Sequence, residues 1–303
     1  GVAPTARPEL RHDRGLRAAR GTRLSAATWR VPAAAEAAVV AELGRAPGVV
    51  HAGRNQRWTT RGAPHDVPVI LEEEDFACVA AQPAMGQIGA TGAGGAGAVV
   101  AVLDGGFDLR HEALLGRYAP GAWDALDGDA DPQDLGDGID GDADGIADDM
   151  VGHGTFVAGL VTAVAPGARI VPIRVLDDEG SGNDLALWLG ITKALDSGAD
   201  VVNLSLVVPS MPPALQAAVE EARARGVAIV TAAGNDPAGP LDDPFLVARS
   251  LVVGGVDGSD TVLPWSPSGA AVEVYAPAKS IVGPLGGRDH PDSYATWSGT
   301  SFA

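Results

Sequence analysis

From Ala98 onward, short apolar runs alternate with longer stretches of helical periodicity, and this alternation strongly constrains the fold. The apolar runs predict strands at Val99–Asp104, Ile170–Leu176, Val201–Leu206, Val227–Ala232 and Leu251–Val253. The segments between them predict helices at Gly154–Ala163, Asp184–Asp196 and Pro213–Arg225. Strands that are apolar throughout and separated by helices indicate a parallel sheet covered on both faces. We therefore expect a three-layer α/β/α domain with a central parallel sheet.

Charge divides the chain into two unequal parts. Residues 1–61 contain 11 Arg and 4 acidic residues; the whole chain has 21 Lys and Arg and 39 Asp and Glu, so 10 basic and 35 acidic residues remain in 62–303. A basic arm can indicate nucleic-acid binding, but these arginines are dispersed and are not interleaved with stacking aromatic residues. A basic segment that docks on its own acidic domain accounts for the same charges. We expect no nucleic-acid partner.

The first 85 residues differ in pattern from the rest. Residues 1–61 form a basic segment, in which 22–53 predict a short strand, an Ala-rich helix at about 33–44 and a second strand at Val49–Ala52. Residues 62–85 are expected to be a linker, and 86–303 the main domain. The chain has no run of about 18 apolar residues, so we expect no membrane span. Cys78 is the only cysteine, which excludes an internal disulfide.

Three short motifs carry residues suited to nucleophilic catalysis. They are V-L-D-G-G-F-D around Asp104, G-H-G-T-F-V-A-G around His153 and G-T-S-F-A around Ser301. A serine hydroxyl becomes a good nucleophile when an imidazole removes its proton, and the imidazole needs a carboxylate to fix its tautomer. Groups at the carboxyl ends of parallel strands converge on one crevice. We therefore expect Asp104 to orient His153, His153 to act as the base and Ser301 to act as the nucleophile.

In order and spacing, these motifs resemble the three signature blocks of the subtilisin-like serine peptidases, from about Gln87 to the end of the chain. The resemblance implies the subtilisin-like fold and a serine endopeptidase that hydrolyses proteins through an acyl-enzyme. The segment T-A-A-G-N-D is similar to the family's oxyanion segment, which implies that Asn235 donates to the tetrahedral oxyanion. Segments 175–182 and 202–206 resemble the two edges that clamp an extended peptide. The implied substrate-binding residues are Gly180, Ser181, Gly182, Ser205, Leu206, Val207, Ala233 and Gly234.

The basic segment ends in P-G-V-V-H-A-G-R-N and is similar to the carboxy-terminal half of a subtilase pro-segment. This similarity implies a precursor that its own pro-segment inhibits until cleavage between about residues 62 and 85. It also implies a secreted or cell-surface protein, and we expect a monomer that acts on polypeptides. The chain ends two residues after Ser301, before the helix expected there, so we expect the 303-residue chain itself to be inactive.

Three residues depart from the family pattern. Gly105 replaces the Thr or Ser that usually follows the aspartate, Val207 replaces a glycine in the second edge segment, and Phe156 replaces a frequent histidine. None of these changes removes a chemical role, although Val207 is expected to narrow the substrate groove. The first two leave open an alternative, a catalytically silent domain that binds peptides or calcium.

The segment 124–149 contains 11 Asp and no basic residue. Carboxylates at alternate positions followed by a glycine are typical of calcium loops, and similar loops occur in many subtilases. Val151 stands where an EF-hand has its bidentate Glu, and Asp148 or Asp149 can take that role. We expect a structural Ca²⁺ held by Asp140, Asp142, Asp144, Ile146 and Asp149. The alternative is a solvated acidic insertion.

The sequence argues against two other functions, dinucleotide binding and an α/β-hydrolase activity. The glycine-rich stretch 91–97 matches G-x-G-x-x-G, but a phosphate-binding loop must follow a strand, whereas this stretch precedes the strand Val99–Asp104. No organic cofactor is therefore expected. An α/β-hydrolase would carry G-x-S-x-G and the order Ser, Asp, His, and the chain has neither.

Overall fold

A computed structural model of the chain describes residues 31–47, 49, 51–59, 67–71, 74–238, 243–287 and 292–303. The strands of this part are β1 (Arg57–Thr59), β2 (Val69–Leu71), β3 (Val99–Asp104), β4 (Trp123–Asp124), β5 (Arg169–Arg174), β6 (Ser181–Asn183), β7 (Val201–Leu204), β8 (Ala228–Ala232), β9 (Leu251–Val256), β10 (Val274–Pro277), β11 (Ile281–Leu285) and β12 (Ser293–Trp297). The α-helices are α1 (Glu36–Leu43), α2 (Phe76–Ala81), α3 (Pro83–Gln87), α4 (His153–Val164), α5 (Asp184–Asp196), α6 (Pro213–Ala224) and α7 (Pro244–Val247).

The centre of the fold is a seven-stranded sheet in the order β10-β9-β8-β7-β3-β5-β4, in which every neighbouring pair is parallel. The expected α/β class is confirmed, and the strands and helices predicted from Ala98 onward have bounds within three residues of those observed. The chain passes from β3 to β5 on one side and later to β7 on the other. This reversal places a crevice at the carboxyl end of β3.

The sheet is covered on both faces because its strands are apolar throughout. In β3, Val102 and Leu103 point to opposite faces and belong to two different apolar clusters. Leu103 packs in the cluster that includes residues of α5 and α6, and Val102 packs in the cluster that includes Phe156 of α4 and Trp297 of β12. The helices are thereby fixed against the strands whose ends carry the predicted site.

Helices α4 and α5 begin at residues that suit a helix start. Gly152 precedes α4 with φ of 89°, a left-handed conformation that glycine adopts without strain. Asn183 precedes α5 and its side chain accepts a hydrogen bond from the amide of Ala186. Helix α5 coincides with the predicted segment Asp184–Asp196.

Small antiparallel sheets join the amino-terminal part to the main domain. Strand β2 pairs with β12 in the sheet β11-β12-β2, and β1 pairs with β6. The described residues of the expected linker 62–85 are not irregular throughout, because they contain β2, α2 and the start of α3. These elements were missed because their partners lie far away in sequence. In the described part, no helix is long and apolar enough to cross a membrane.

The basic segment agrees only in part with its expected structure. The predicted Ala-rich helix is confirmed as α1, preceded by a 3₁₀ turn at Ala33–Ala35. The predicted strand at Val49–Ala52 was wrong for its described residues, because Val49, His51 and Ala52 are not in a strand. The first predicted strand, before residue 31, lies outside the described residues.

Candidate active site

Asp104 and His153 form the buried part of the site. Asp104 ends β3, His153 begins α4, and the Nδ1 atom of His153 lies 2.8 Å from Oδ1 of Asp104. Neither side chain is exposed, and the amide of Gly105 donates to the same carboxylate oxygen at 2.7 Å. Gly154 permits this approach, since a Cβ there would lie 2.2 Å from the carbonyl oxygen of Gly106. An ionised carboxylate only accepts hydrogen bonds, so Nδ1 carries the proton and Nε2 is left to act as the base.

Ser301 lies in a 3₁₀ turn, Thr300–Phe302, that follows β12. Its Oγ donates to the carbonyl oxygen of Ser205 at 3.3 Å, and the Ser205 hydroxyl donates to the carbonyl of Ser301 at 3.0 Å. Within the described part of the chain, Nε2 of His153 makes no hydrogen bond. The structure therefore brings Ser301 to the carboxyl end of β7, but the serine-to-histidine hydrogen bond is not formed. The ring of Phe302 lies beside His153, with 5.3 Å between ring centroids.

Asn235 follows β8 and is tied to the residue before Ser301. Its Oδ1 accepts the amide of Thr300 at 2.9 Å and lies 3.1 Å from the Thr300 hydroxyl. The Thr300 hydroxyl also lies 3.1 Å from both the amide nitrogen and the carbonyl oxygen of Gly234. Oδ1 of Asn235 is thus bonded to Thr300, and Nδ2 is the hydrogen-bond donor of this side chain.

The two predicted edge segments flank the same end of the sheet. Gly180 precedes β6, which contains Ser181 and Gly182, and Ser205 to Val207 follow β7. A Cβ on Gly234 would lie 3.3 Å from Cγ2 of Val207, so the valine side chain faces the segment after β8. Leu206 and Ala233 are 2% and 1% exposed as whole residues. Their side chains are therefore buried in the fold beneath this edge.

Asp134 is a buried carboxylate beside the site that sequence reasoning did not single out. It is 4% exposed, and its Oδ2 accepts the amide of Gly152 at 2.6 Å, one residue before His153. The pKa of Asp134 is raised to about 7, and burial is the main cause. The charge of Asp104 also raises this pKa, whereas the hydrogen bond from the Gly152 amide and the charges of Arg174 and His153 lower it. Asp134 is one of the 11 aspartates in segment 124–149, and nothing in the sequence distinguishes it from the other ten.

The acidic loop brings together three of the five predicted calcium ligands. Asp140, Asp142 and Asp144 each have a carboxylate oxygen within 4.8 Å of the other two, and Asp144 accepts the amide of Ile146. Oδ1 of Asp149 is buried and makes no hydrogen bond among the described residues. The pKa of Asp149 is raised to about 7, mainly by burial and also by the charges of Asp144, Glu179 and Asp142. The three grouped carboxylates have the chemistry that a hard divalent cation prefers, and Asp149 lies outside this group.

Loop 177–179, after β5, contributes further carboxylates that the sequence analysis missed. Glu179 is 5% exposed, with Oε1 bonded to the amide of Asp148 and Oε2 unbonded in the described structure. Asp178 joins Asp137 and Asp148 in a second group whose carboxylate oxygens lie within 4.8 Å of one another. The acidic run Asp177 to Glu179 was a usable signal, but only the fold brings it to the loop.

Comparisons with known proteins identify the family of the chain. Residues 95–303 match the family model described as the subtilase family. The chain is 36% identical to a thermophilic serine proteinase of Bacillus sp. (strain AK1) over 214 residues, 67% of this chain and 48% of that protein. It is 37% identical to thermitase of Thermoactinomyces vulgaris over 207 residues, 68% of this chain and 70% of thermitase. The matched region thus spans about half of the Bacillus relative.

A solved structure supports the same relationship. The crystal structure of a cold adapted subtilisin-like serine proteinase superposes with a TM-score of 0.56 and 30% sequence identity, covering 69% of this chain and 71% of that one. The family match takes in β3 and every later strand of the parallel sheet. The chain belongs to the subtilase family of serine peptidases.

Proposed function

We propose that this protein is a serine endopeptidase that uses Asp104, His153 and Ser301 as its catalytic triad. The observation that carries the proposal is the fully buried hydrogen bond from His153 to Asp104, which leaves Nε2 as the proton acceptor. In the reaction, Nε2 takes the Ser301 proton as Oγ attacks the peptide carbonyl, then gives it to the departing amine. Water attacks the resulting ester in the same way and releases the acid. For this transfer, Ser301 Oγ must leave the carbonyl of Ser205 and turn toward His153.

The oxyanion is stabilised by Nδ2 of Asn235 and the backbone amide of Ser301. Thr300 holds the other atom of the amide, so the donor is oriented before the substrate arrives. A donor fixed in advance costs no reorganisation when negative charge develops. Substrates are polypeptides that bind in extended form along Gly180 to Gly182 on one side and Ser205 to Val207 on the other.

The precursor is inhibited by its own amino-terminal segment, residues 1–61, until cleavage within 62–85. Support comes from β1, which pairs with the edge strand β6 and leaves that edge unavailable to a substrate. We further propose that the protein is a secreted or cell-surface monomer. Intact mass of the full-length protein, as wild type and as Ser301→Ala, tests the precursor. Loss of about 60 to 85 residues from the wild type alone is expected, and identical masses would contradict self-processing.

Calcium is proposed as a structural cofactor held by Asp140, Asp142, Asp144, Ile146 and Asp149. When bound, the ion supplies positive charge that offsets the repulsion among these carboxylates. The unbonded oxygens of Asp149 and Glu179 support the assignment. The ion has no part in the peptide hydrolysis steps.

The rival function is a catalytically silent domain that binds peptides or calcium. It is favoured by the contact of Ser301 Oγ with Ser205 and by Gly105 and Val207. Peptide hydrolysis by the full-length protein separates the two functions. Loss of hydrolysis in Ser301→Ala supports the peptidase, and unchanged hydrolysis in that variant, or none in the processed wild type, would support the rival.

A further inference from the structure

The strand β1 binds the edge segment β6 through contacts that involve both backbone and side chains. Arg57, Trp58 and Thr59 pair antiparallel with Asn183, Gly182 and Ser181. The hydroxyls of Thr59 and Ser181 lie 2.8 Å apart. Adding a strand to an exposed edge is a general mode of peptide recognition, in which backbone bonds give affinity and side-chain pockets give specificity.

Trp58 is the side chain that anchors this strand. Its indole is 8% exposed and belongs to the apolar cluster that contains Leu176 and Leu189. A Cβ on Gly182 would lie 2.8 Å from Cη2 of Trp58, so glycine at 182 leaves the space that the ring fills. Arg57 and Thr59, its neighbours in the strand, are exposed. One position of the bound strand therefore supplies most of the buried contact.

Asp184 completes the pocket with a hydrogen-bond acceptor. It is 6% exposed, and its Oδ1 accepts the indole N–H of Trp58 at 3.2 Å. Its Oδ2 accepts the backbone amide of Gln56 at 3.2 Å, and its own amide donates to the carbonyl of Gln56. A single carboxylate thus contacts the backbone of the bound strand and the side chain two residues later.

We propose that Asp184 is a specificity-determining residue, which makes the position opposite Gly182 select tryptophan over phenylalanine in any peptide bound along this edge. A phenylalanine ring has no N–H, so it leaves Oδ1 of a buried carboxylate without its partner. Sites that hydrogen-bond a substrate group discriminate strongly against analogues lacking that group. The inference rests on the proposed function, since it takes this edge as the peptide site of the peptidase, with residues 55–59 as its occupant in the precursor.

The test measures binding, so that it does not depend on catalysis. Two fluorescein-labelled peptides are compared: residues 53–59, Gly-Arg-Asn-Gln-Arg-Trp-Thr, and the same peptide with phenylalanine in place of tryptophan. The protein is the full-length chain carrying Ser301→Ala, which prevents cleavage, and Trp58→Gly, which removes the anchor of the internal strand. Anisotropy is expected to give a Kd about tenfold lower for the tryptophan peptide.

Two further variants assign the preference to Asp184. Asp184→Ala removes the acceptor and is expected to make the two Kd values equal. Asp184→Asn keeps an oxygen at the same position and is expected to retain most of the preference. Equal affinities before Asp184 is changed, no binding of the tryptophan peptide by a folded protein, or an unchanged ratio in Asp184→Ala would overturn the inference.

A second measurement covers the case in which Trp58→Gly does not fold. Hydrogen exchange of the segment 55–59 is followed in the chain that retains Trp58. Trp58→Phe and Asp184→Ala are expected to speed this exchange about tenfold, and Asp184→Asn much less. Equal exchange in all four proteins would also contradict the inference. Hydrolysis by the unmodified full-length protein is assayed separately, so that a failure of the proposed function is recognised independently of the peptide preference.

Discussion

The carboxylate of Asp104 and the imidazole of His153 form a hydrogen-bonded pair, 2.8 Å from Oδ1 to Nδ1, in which neither side chain reaches solvent. The pair joins the end of β3 to the start of α4. In the proposed mechanism, the pair presents Nε2 unprotonated toward the serine. We expect Asp104→Asn to lower kcat/KM of the full-length protein by about 10⁴-fold, because an asparagine amide favours the wrong imidazole tautomer. Steady-state kinetics with circular dichroism as a folding control checks this; a folded variant that loses less than tenfold would contradict the role.

In the proposed mechanism, Asn235 both binds the oxyanion and holds Thr300, and two substitutions separate these roles. Asn235→Ala removes both the Nδ2 donor and the Oδ1 atom that holds the amide of Thr300. Asn235→Asp keeps the oxygen and removes only the donor. Both variants are expected to lose about 10²- to 10³-fold in kcat with little change in KM. A near-normal kcat in Asn235→Asp would show that the Thr300 contact, and not oxyanion binding, is what the residue provides.

Asp134 makes the stability of the fold depend on pH. Its pKa of about 7 in the folded protein exceeds the value of 3.8 typical of a free carboxyl, so the folded state binds its proton more tightly between those pH values. The free energy of unfolding therefore falls as pH rises from about 4 to about 7. The pKa of Asp149 is also raised, so this residue changes the free energy of unfolding with pH in the same direction. Asp149 is present in both wild type and Asp134→Asn, so the comparison of these two proteins isolates the effect of Asp134.

The measurement for Asp134 is the urea midpoint of wild type and Asp134→Asn at pH 4.5 and 7.5. Asparagine keeps an acceptor for the amide of Gly152 and cannot ionise. The variant is expected to lose less stability than wild type over this range. A parallel decline in the two proteins would show that Asp134 titrates normally in the folded state.

Calcium is expected to stabilise the folded protein through the acidic loop. At a free concentration 100 times the dissociation constant, a site present only in the folded state adds about 2.7 kcal/mol to the free energy of unfolding. Asp142→Asn combined with Asp144→Asn should abolish this increase, whereas Asp131→Asn, an exposed aspartate outside both carboxylate groups, should leave it intact. Thermal unfolding with calcium and with a chelator distinguishes these outcomes, and an equal calcium response in all three proteins would place the ion elsewhere.

The strands and helices that local pattern specifies could be predicted from the sequence. Strand β3 and helix α5 coincide with their predicted bounds because their apolar residues follow one periodicity throughout. Strands β1 and β6 could not be predicted in the same way. Each has three residues, and more than 120 positions separate their partners, so only the folded chain shows the pairing.

The candidate site was likewise predictable from the sequence only in part. Asp104, His153 and Ser301 stand in motifs whose chemistry is readable from residue type and order. The bond between Thr300 and Asn235 and the burial of Asp134 arise from packing, which residue type does not encode. The Ser301 contact with Ser205 was likewise not predicted, because a serine motif does not specify the side-chain rotamer.

Labelling by a fluorophosphonate probe addresses the nucleophile itself. The full-length processed protein is treated with the probe and its intact mass and peptide map are recorded, beside Ser301→Ala and His153→Ala. A single adduct on Ser301 that is absent from Ser301→Ala and strongly slowed in His153→Ala is the predicted result. A folded, processed wild type that takes up no probe, or an adduct that persists in Ser301→Ala, would contradict the assignment of Ser301 as the catalytic nucleophile.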